Sequence, residues 1–188
     1  MRIVGGLHRG LTLADVGRGD PAAHLRPTSD RVREAIFNVL LGGRFGNPVS
    51  GAHVLDLFAG TGALGIEALS RGATFATFVD SGRVAQGLIR ENLRRARREG
   101  DARLIAAETG RIPAREGTLA GLVFLDPPYG RLMGQAALAA AKSADWISPG
   151  AVVVWEDSGP QLPPAGFTLV DQRRYGDTHV TFLTADSA

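Results

Sequence analysis

Apolar positions change their spacing twice along this chain. Near the start, Arg2-Ile3-Val4 is a short strand-like run, which Gly5-Gly6 breaks. After the turn residues Arg26-Pro27-Thr28, the residues Val32, Ile36, Val39 and Leu40 recur at helical spacing. They predict a helix capped by Thr28 or Asp30 and ended by Gly42-Gly43. From His53 onward, short apolar runs alternate with helical stretches. Strands are predicted at 53–58, 74–80, 102–107, 121–126 and 151–157. Helices are predicted within 60–72, over 83–99 and over 133–144. In the second of these, Val84, Leu88 and Leu93 are expected to face inward and Arg94, Arg95, Arg97 and Arg98 mostly outward. The run at 121–126 is almost wholly apolar, as a strand covered on both faces should be. Two alternating runs, 167–173 and 179–184, close the chain, and a tight turn at Tyr175-Gly176-Asp177 makes them antiparallel. Strand–helix alternation followed by terminal strands predicts an α/β fold, a doubly wound Rossmann-like sheet of seven strands. The division expected is a short N-terminal strand and helix extension, residues 1–50, ahead of one α/β domain, residues 51–188.

Composition narrows the chemistry. With 188 residues the chain buries a full core without staples. It has no cysteine, which excludes disulfides, thiolate metal sites and cysteine nucleophiles. Its four histidines are scattered, so no metal is expected. No apolar run is long enough for a membrane span, and the first ten residues lack a signal-peptide pattern. A soluble cytoplasmic protein without membrane contact is expected. Net charge is only +2, but all basic residues except Lys142 are arginines. Residues 1–50 hold seven arginines against four acids, and residues 83–103 seven against three. Such clusters suit a polyanion-binding face, although the second reads equally well as a solvated helix face.

Two motifs carry specific chemistry. Gly60, Gly62 and Gly65 form a G-x-G-x-x-G between the strand at 53–58 and the helix after it. Asp80 ends the next strand, where a carboxylate can take two ribose hydroxyls. A dinucleotide and S-adenosylmethionine both fit a glycine turn plus an acid. Asp56 favours the second, since a carboxylate there repels a pyrophosphate and attracts a sulfonium or ammonium. It can also simply order the loop. The second motif is Asp126-Pro127-Pro128-Tyr129, directly after a buried strand. The prolines stiffen the turn and lack an N–H, leaving the Pro127 carbonyl and the Asp126 carboxylate as neighbouring acceptors, with Tyr129 as a stacking face. That set grips a planar ring bearing an exocyclic amine. The lone pair of such an amine is conjugated into the ring, and two acceptors aimed at its hydrogens favour the pyramidal, nucleophilic nitrogen of a methyl-transfer transition state.

Together these motifs resemble the amino-methylating class of S-adenosylmethionine-dependent methyltransferases, with its (D/N/S)PP(Y/F/W) signature. The whole chain resembles more closely the RsmD-type 16S ribosomal RNA guanine-N2 methyltransferases. Arg2-Ile3-Val4-Gly5-Gly6, the stretch from Leu25 to Asn38 (LRPTSDRVREAIFN) and the stretch from Leu55 to Gly72 carry the match. The resemblance implies a class I methyltransferase sheet and methyl transfer to the N2 amine of one guanine, of the guanine-966 type, during small-subunit maturation. S-adenosylhomocysteine is the implied product. Gly60, Thr61 and Gly62 would line the cofactor, with Asp56 near its methionine end, Asp80 on the ribose and Glu108 near the adenine amine. Asp126, Pro127 and Tyr129 would hold the guanine. Arg26, Thr28 and Arg33 would lie near the cofactor or RNA entrance, and Arg2, Arg9 and Arg31 complete the expected RNA-binding set. The implied partner is 16S ribosomal RNA in an assembling small subunit, met by a monomer. Two departures stand out: the family's second-strand acid is more often Glu than the Asp80 seen here, and Gly130 follows the tetrad in a short segment.

Three other functions compete. A DNA adenine-N6 methyltransferase would use the same tetrad but usually carries a large target-recognition domain. A noncatalytic RNA-binding module would have eroded motifs, and both are intact. An NAD-dependent dehydrogenase leaves the tetrad unexplained. Lesser features read blandly. Trp155-Glu156-Asp157 is taken as packing plus a loop-ordering carboxylate, His8 and His24 as surface residues or phosphate contacts, and Phe58 as a core or cofactor neighbour.

Overall fold

The computed structural model describes residues 1–15, 28–128 and 133–187. Arg26, His24, Tyr129 and Gly130, named above, lie outside the described residues. The order of elements is α1 (Asp30–Leu41), β1 (His53–Leu57), α2 (Ala63–Ser70), β2 (Phe75–Val79), α3 (Arg83–Ala96), β3 (Ala102–Ile105), β4 (Ala120–Leu125), α4 (Met133–Ser143), β5 (Ile147–Asp157), β6 (Phe167–Tyr175) and β7 (Thr178–Ala185). The strands form one seven-stranded sheet in the order β3-β2-β1-β4-β5-β7-β6. Strands β1 to β5 pair in parallel, and β7 runs antiparallel to both β5 and β6. The predicted α/β sheet and its antiparallel end are therefore present. Strand order reverses between β1 and β4, which makes the crevice beyond their carboxyl ends the ligand position of an open α/β sheet.

Alternation along the strands decides which side chains meet there. Val54 of β1, Leu122 and Phe124 of β4, and Val152 and Val154 of β5 point into the layer that holds α1, α2 and α3. Leu55, Leu57, Val123, Leu125, Val153 and Trp155 point into the opposite layer, with α4. Each large side chain so buried contributes about 1.5–3 kcal/mol. By the same period of two, Asp56, Asp126 and Glu156 fall on the α1–α2 side of the sheet at its carboxyl edge.

Several local expectations change. The N-terminal run makes only one bridge among the described residues, Arg2 with Thr12, inside a hairpin closed by Ile3 N–H to Leu11 and Gly10 N–H to Ile3. The α1 cap is Ser29, whose hydroxyl accepts from Val32 N–H, because Ser29 occupies the extended position that a cap requires. Helix α3 is rotated from the predicted stripe. Its buried residues are Ala85, Ile89, Asn92, Leu93 and Ala96, while Val84 is 47% exposed. It stops at Ala96 because Arg97 adopts a left-handed conformation. Arg98 then turns back to donate to the carbonyls of Leu69 and Ala73 and is not an outward arginine. Strand β5 begins at Ile147, earlier than expected.

Candidate active site

The glycine turn is built by positive backbone angles. Phe58, Gly60 and Gly62 have φ of 57°, 56° and 76°, and Gly62 N–H donates to the Ala59 carbonyl at 2.7 Å. Gly62 starts α2 with no side-chain cap. Gly65 is required for a different reason: a Cβ there would stand 2.4 Å from Phe78 Cε1, so the third glycine lets α2 close on β2. Thr61 is buried within the turn, and its carbonyl accepts from Asn92 of α3 at 2.9 Å.

Two carboxylates order this turn from different sides. Asp56 lies beneath it, 2% exposed, and accepts from Gly65 N–H at 2.9 Å. Burial, with a smaller contribution from nearby Asp80, pushes its carboxyl up to about 8, the Gly65 bond pulling the other way. It is thus a largely protonated strut under the loop, and its charge selects a cofactor less than the sequence suggested. Asp80, half-buried at the end of β2, accepts from Gly60 N–H at 2.9 Å through one oxygen and from Gly82 N–H at 2.8 Å through the other. A carboxylate oxygen has two lone pairs, so each keeps capacity for a hydroxyl. Glu108 is exposed just after β3, and its carbonyl accepts from Arg111 N–H.

The tetrad leaves β4 beside this turn. Asp126 N–H reaches the Leu57 carbonyl of β1 at 3.4 Å. Its half-buried carboxyl faces Thr28 and Glu156. Burial raises the Asp126 carboxyl well above the usual carboxylate range, and Glu156, Asp56 and Asp157 add to the rise, with the Thr28 hydroxyl opposing it. Pro127 is buried and Pro128 half-buried. The Asp80 carboxylate at the end of β2, beside the backbone of the glycine turn, keeps lone pairs for hydroxyls, so the donor set fits S-adenosylmethionine.

The expected RNA-binding residues separate into two groups. Arg2, Arg9 and Arg31 are exposed, with Arg2 paired to Asp30. Thr28 is buried against the Asp126 and Glu156 carboxyls. Arg33 is fully buried, donating to the carbonyls of Thr28 and Arg2 and to Asp30 at 2.8 Å. Its guanidinium is enclosed by protein and braces the segment that carries Thr28, which leaves it no face for a phosphate.

Comparison with known proteins gives this geometry a relative. A family profile described as conserved hypothetical protein 95 matches residues 1–184. Ribosomal RNA small subunit methyltransferase D of Escherichia coli strain K12 is 34% identical over 172 residues, covering 90% of this chain and 82% of that protein. The chain belongs to the RsmD family. The Haemophilus influenzae protein of the same name is 29% identical over 182 residues, covering 94% of this chain and 89% of that one. A solved Escherichia coli structure, yhhF, described as a candidate methyltransferase, superposes with a TM-score of 0.82 at 32% identity, covering 100% of this chain and 99% of that one.

Two residues of this family member, Asn92 and Glu67, are not marked by the sequence, and a third, Glu156, has a closer place at the site than its sequence suggests. Glu156 is 4% exposed and bonded to Thr28, more than a loop-ordering carboxylate, and its position beside the β4 exit was the available signal. Asn92, a polar residue within the buried stripe of α3, ties the carbonyls of Thr61 and Ala14 together. Glu67 of α2, fully buried, accepts from Val4 N–H and Gly5 N–H at 2.8 Å each and from Arg71 Nε at 2.7 Å, and lies 3.6 Å from Arg33 Nε. Nothing in the local sequence announces Glu67, because its partners come from the N-terminal hairpin and α1.

Proposed function

We propose that the chain is an S-adenosylmethionine-dependent methyltransferase acting on the N2 amine of one guanine, of the guanine-966 type, in 16S ribosomal RNA of an assembling small subunit. One observation carries the reading: the Asp126-Pro127-Pro128 exit of β4 lies against the end of β1 that leads into the glycine turn, joined by the Asp126–Leu57 bond. Family membership supports ribosomal RNA as substrate, since the Escherichia coli relative bears that name at 34% identity. When bound, S-adenosylmethionine supplies a methyl group on a positively charged sulfur.

The residues divide the work. The backbone of Gly60, Thr61 and Gly62 would shape the cofactor cradle, Asp80 would take the ribose hydroxyls on its remaining lone pairs, the exposed Glu108 would take the adenine amine, and Asp56 holds the turn from below. Asp126 and the Pro127 carbonyl accept the hydrogens of the guanine amine. Their acceptance strengthens as the nitrogen pyramidalises, so it favours the transition state over the bound substrate. The amine lone pair would take the methyl group so supplied, the bonding electrons of the donor staying on its sulfur, and the surplus nitrogen proton would leave to water. Tyr129 stacks on the base. Residues 1–50 serve as the RNA-recognition extension and residues 51–188 as the transfer domain of a cytoplasmic monomer.

The test combines turnover with binding. The purified protein should methylate 16S ribosomal RNA or immature subunits lacking this modification, read as N2-methylguanosine by nucleoside mass spectrometry. Asp126→Ala should lower kcat by about 10²–10³, the usual effect of losing one preorganised polar group, with calorimetric S-adenosylmethionine affinity near wild type. Wild-type turnover by Asp126→Ala would remove Asp126 from the site.

A further inference from the structure

Strands β4 and β5 run side by side with Leu125 opposite Trp155, so the next residues, Asp126 and Glu156, leave the sheet as neighbours. The Thr28 hydroxyl sits between them, 3.0 Å from Glu156 Oε2 and 3.3 Å from Asp126 Oδ2. It has one hydrogen and two carboxyl neighbours. Two carboxylates this close in a buried setting do not both ionise readily and titrate as a unit, which adds to the effect of burial in raising the Asp126 carboxyl. Asp56 at the end of β1 and Asp157 beside Glu156 add further negative potential and favour a retained proton.

The Thr28 hydroxyl has a single hydrogen for the two acceptors it faces, so only one of them can receive it at a time. Glu156 is 4% exposed, and the reading of Asp126 as an acceptor for an amine requires that the proton shared by the pair sit on Glu156. A protonated Glu156 donates to Thr28 Oγ1, which then donates its own hydrogen to Asp126. The reverse order would turn Asp126 into a donor and set it against the amine hydrogens it is meant to accept. Arg33 holds the chain in this arrangement by donating to the Thr28 carbonyl.

We propose that Glu156 is a positioning residue for methyl transfer: it keeps the proton that the two carboxyls share and, through the Thr28 hydroxyl, leaves Asp126 ionised and aimed as an acceptor toward the target amine. This rests on the reading of Asp126 as the group that takes that amine. At high pH the shared proton is lost, the Thr28 hydroxyl swings toward Glu156, and turnover falls.

The experiment uses two nearly isosteric replacements in the full chain, with S-adenosylmethionine calorimetry as the check of folding. Glu156→Gln cannot lose the proton, and its amide still donates to Thr28. Its kcat should hold across the alkaline range where wild-type kcat declines. Thr28→Val cuts the relay and should lower kcat about tenfold, with KM for S-adenosylmethionine unchanged, while Thr28→Ser restores most of the loss. Superimposable pH profiles for wild type and Glu156→Gln, or wild-type turnover by Thr28→Val, overturn the proposal. Asp126→Ala separates the two levels. If it turns over normally, the reading of Asp126 itself fails. If it is inactive while the profiles coincide, only the role of Glu156 fails.

Discussion

A single aspartate shows how burial changes what a residue does. The order of residues makes Asp56 look like a charge at the cofactor, but the alternation of β1 turns it inward under Gly65. Its carboxyl is pushed up to about 8 from an ordinary 3.8. Between those values the folded protein holds a proton that the unfolded chain has released, so this group lowers stability as pH rises from about 4 to about 8. Asp56→Asn cannot ionise and still offers an oxygen to Gly65 N–H. Urea unfolding should therefore find the variant more stable than wild type at pH 8 by at least about 1.4 kcal/mol, the equivalent of one pKa unit, with the advantage shrinking toward pH 4. An equal pH dependence in both proteins would mean that Asp56 is ionised under the loop.

Elements were legible in the sequence wherever one face or both faces were uniformly apolar. Strands β1, β2 and β4 and helix α2 end within one to three residues of their predicted limits for that reason. Helix α3 was misread because Val84 and Leu88 suggest a stripe, whereas Ala85, Ile89, Asn92, Leu93 and Ala96 form the packed one, and a buried asparagine looks like a surface residue in one dimension. The glycine turn and the tetrad could be read because their residues are consecutive. The braces around them could not, since Thr28 meets Glu156 across 128 positions and Glu67 meets Val4 across 63. Helix α2 shows what such a brace contributes. Glu67 accepts two amides of the N-terminal hairpin and pairs with Arg71 and the buried Arg33. Glu67→Ala should cost about 3–5 kcal/mol in urea unfolding, as expected when one partner of a buried ion pair is removed. A loss below about 1 kcal/mol would show that Asp30 alone satisfies Arg33.

At the scale of the whole molecule, the N-terminal segment has two duties that a deletion would confuse. Ile3 and Leu13 are buried in the α1–α3 layer, Val4 and Gly5 satisfy Glu67, and Ala14 bonds to Asn92 behind the glycine turn. Removing the segment would damage the cofactor turn whatever its part in RNA recognition. Recognition is better tested at exposed side chains for which no internal ion pair is seen among the described residues, and Arg9 and Arg31 meet that condition, whereas Arg2 pairs with Asp30 and Arg33 is enclosed. Contacts of this kind go to phosphates. They set position rather than read bases, and selection of one guanine then depends on RNA shape. The double variant Arg9→Ala/Arg31→Ala should bind S-adenosylmethionine as wild type does but bind RNA more weakly. Its log–log salt slope should be shallower by roughly 0.7–0.9 for each lost phosphate contact. An RNA affinity titrated across a salt series decides the matter. An unchanged slope would move recognition to the exposed arginines of α3, Arg90 and Arg94, with Arg97 at its end, and would leave the assignment of the transfer site intact.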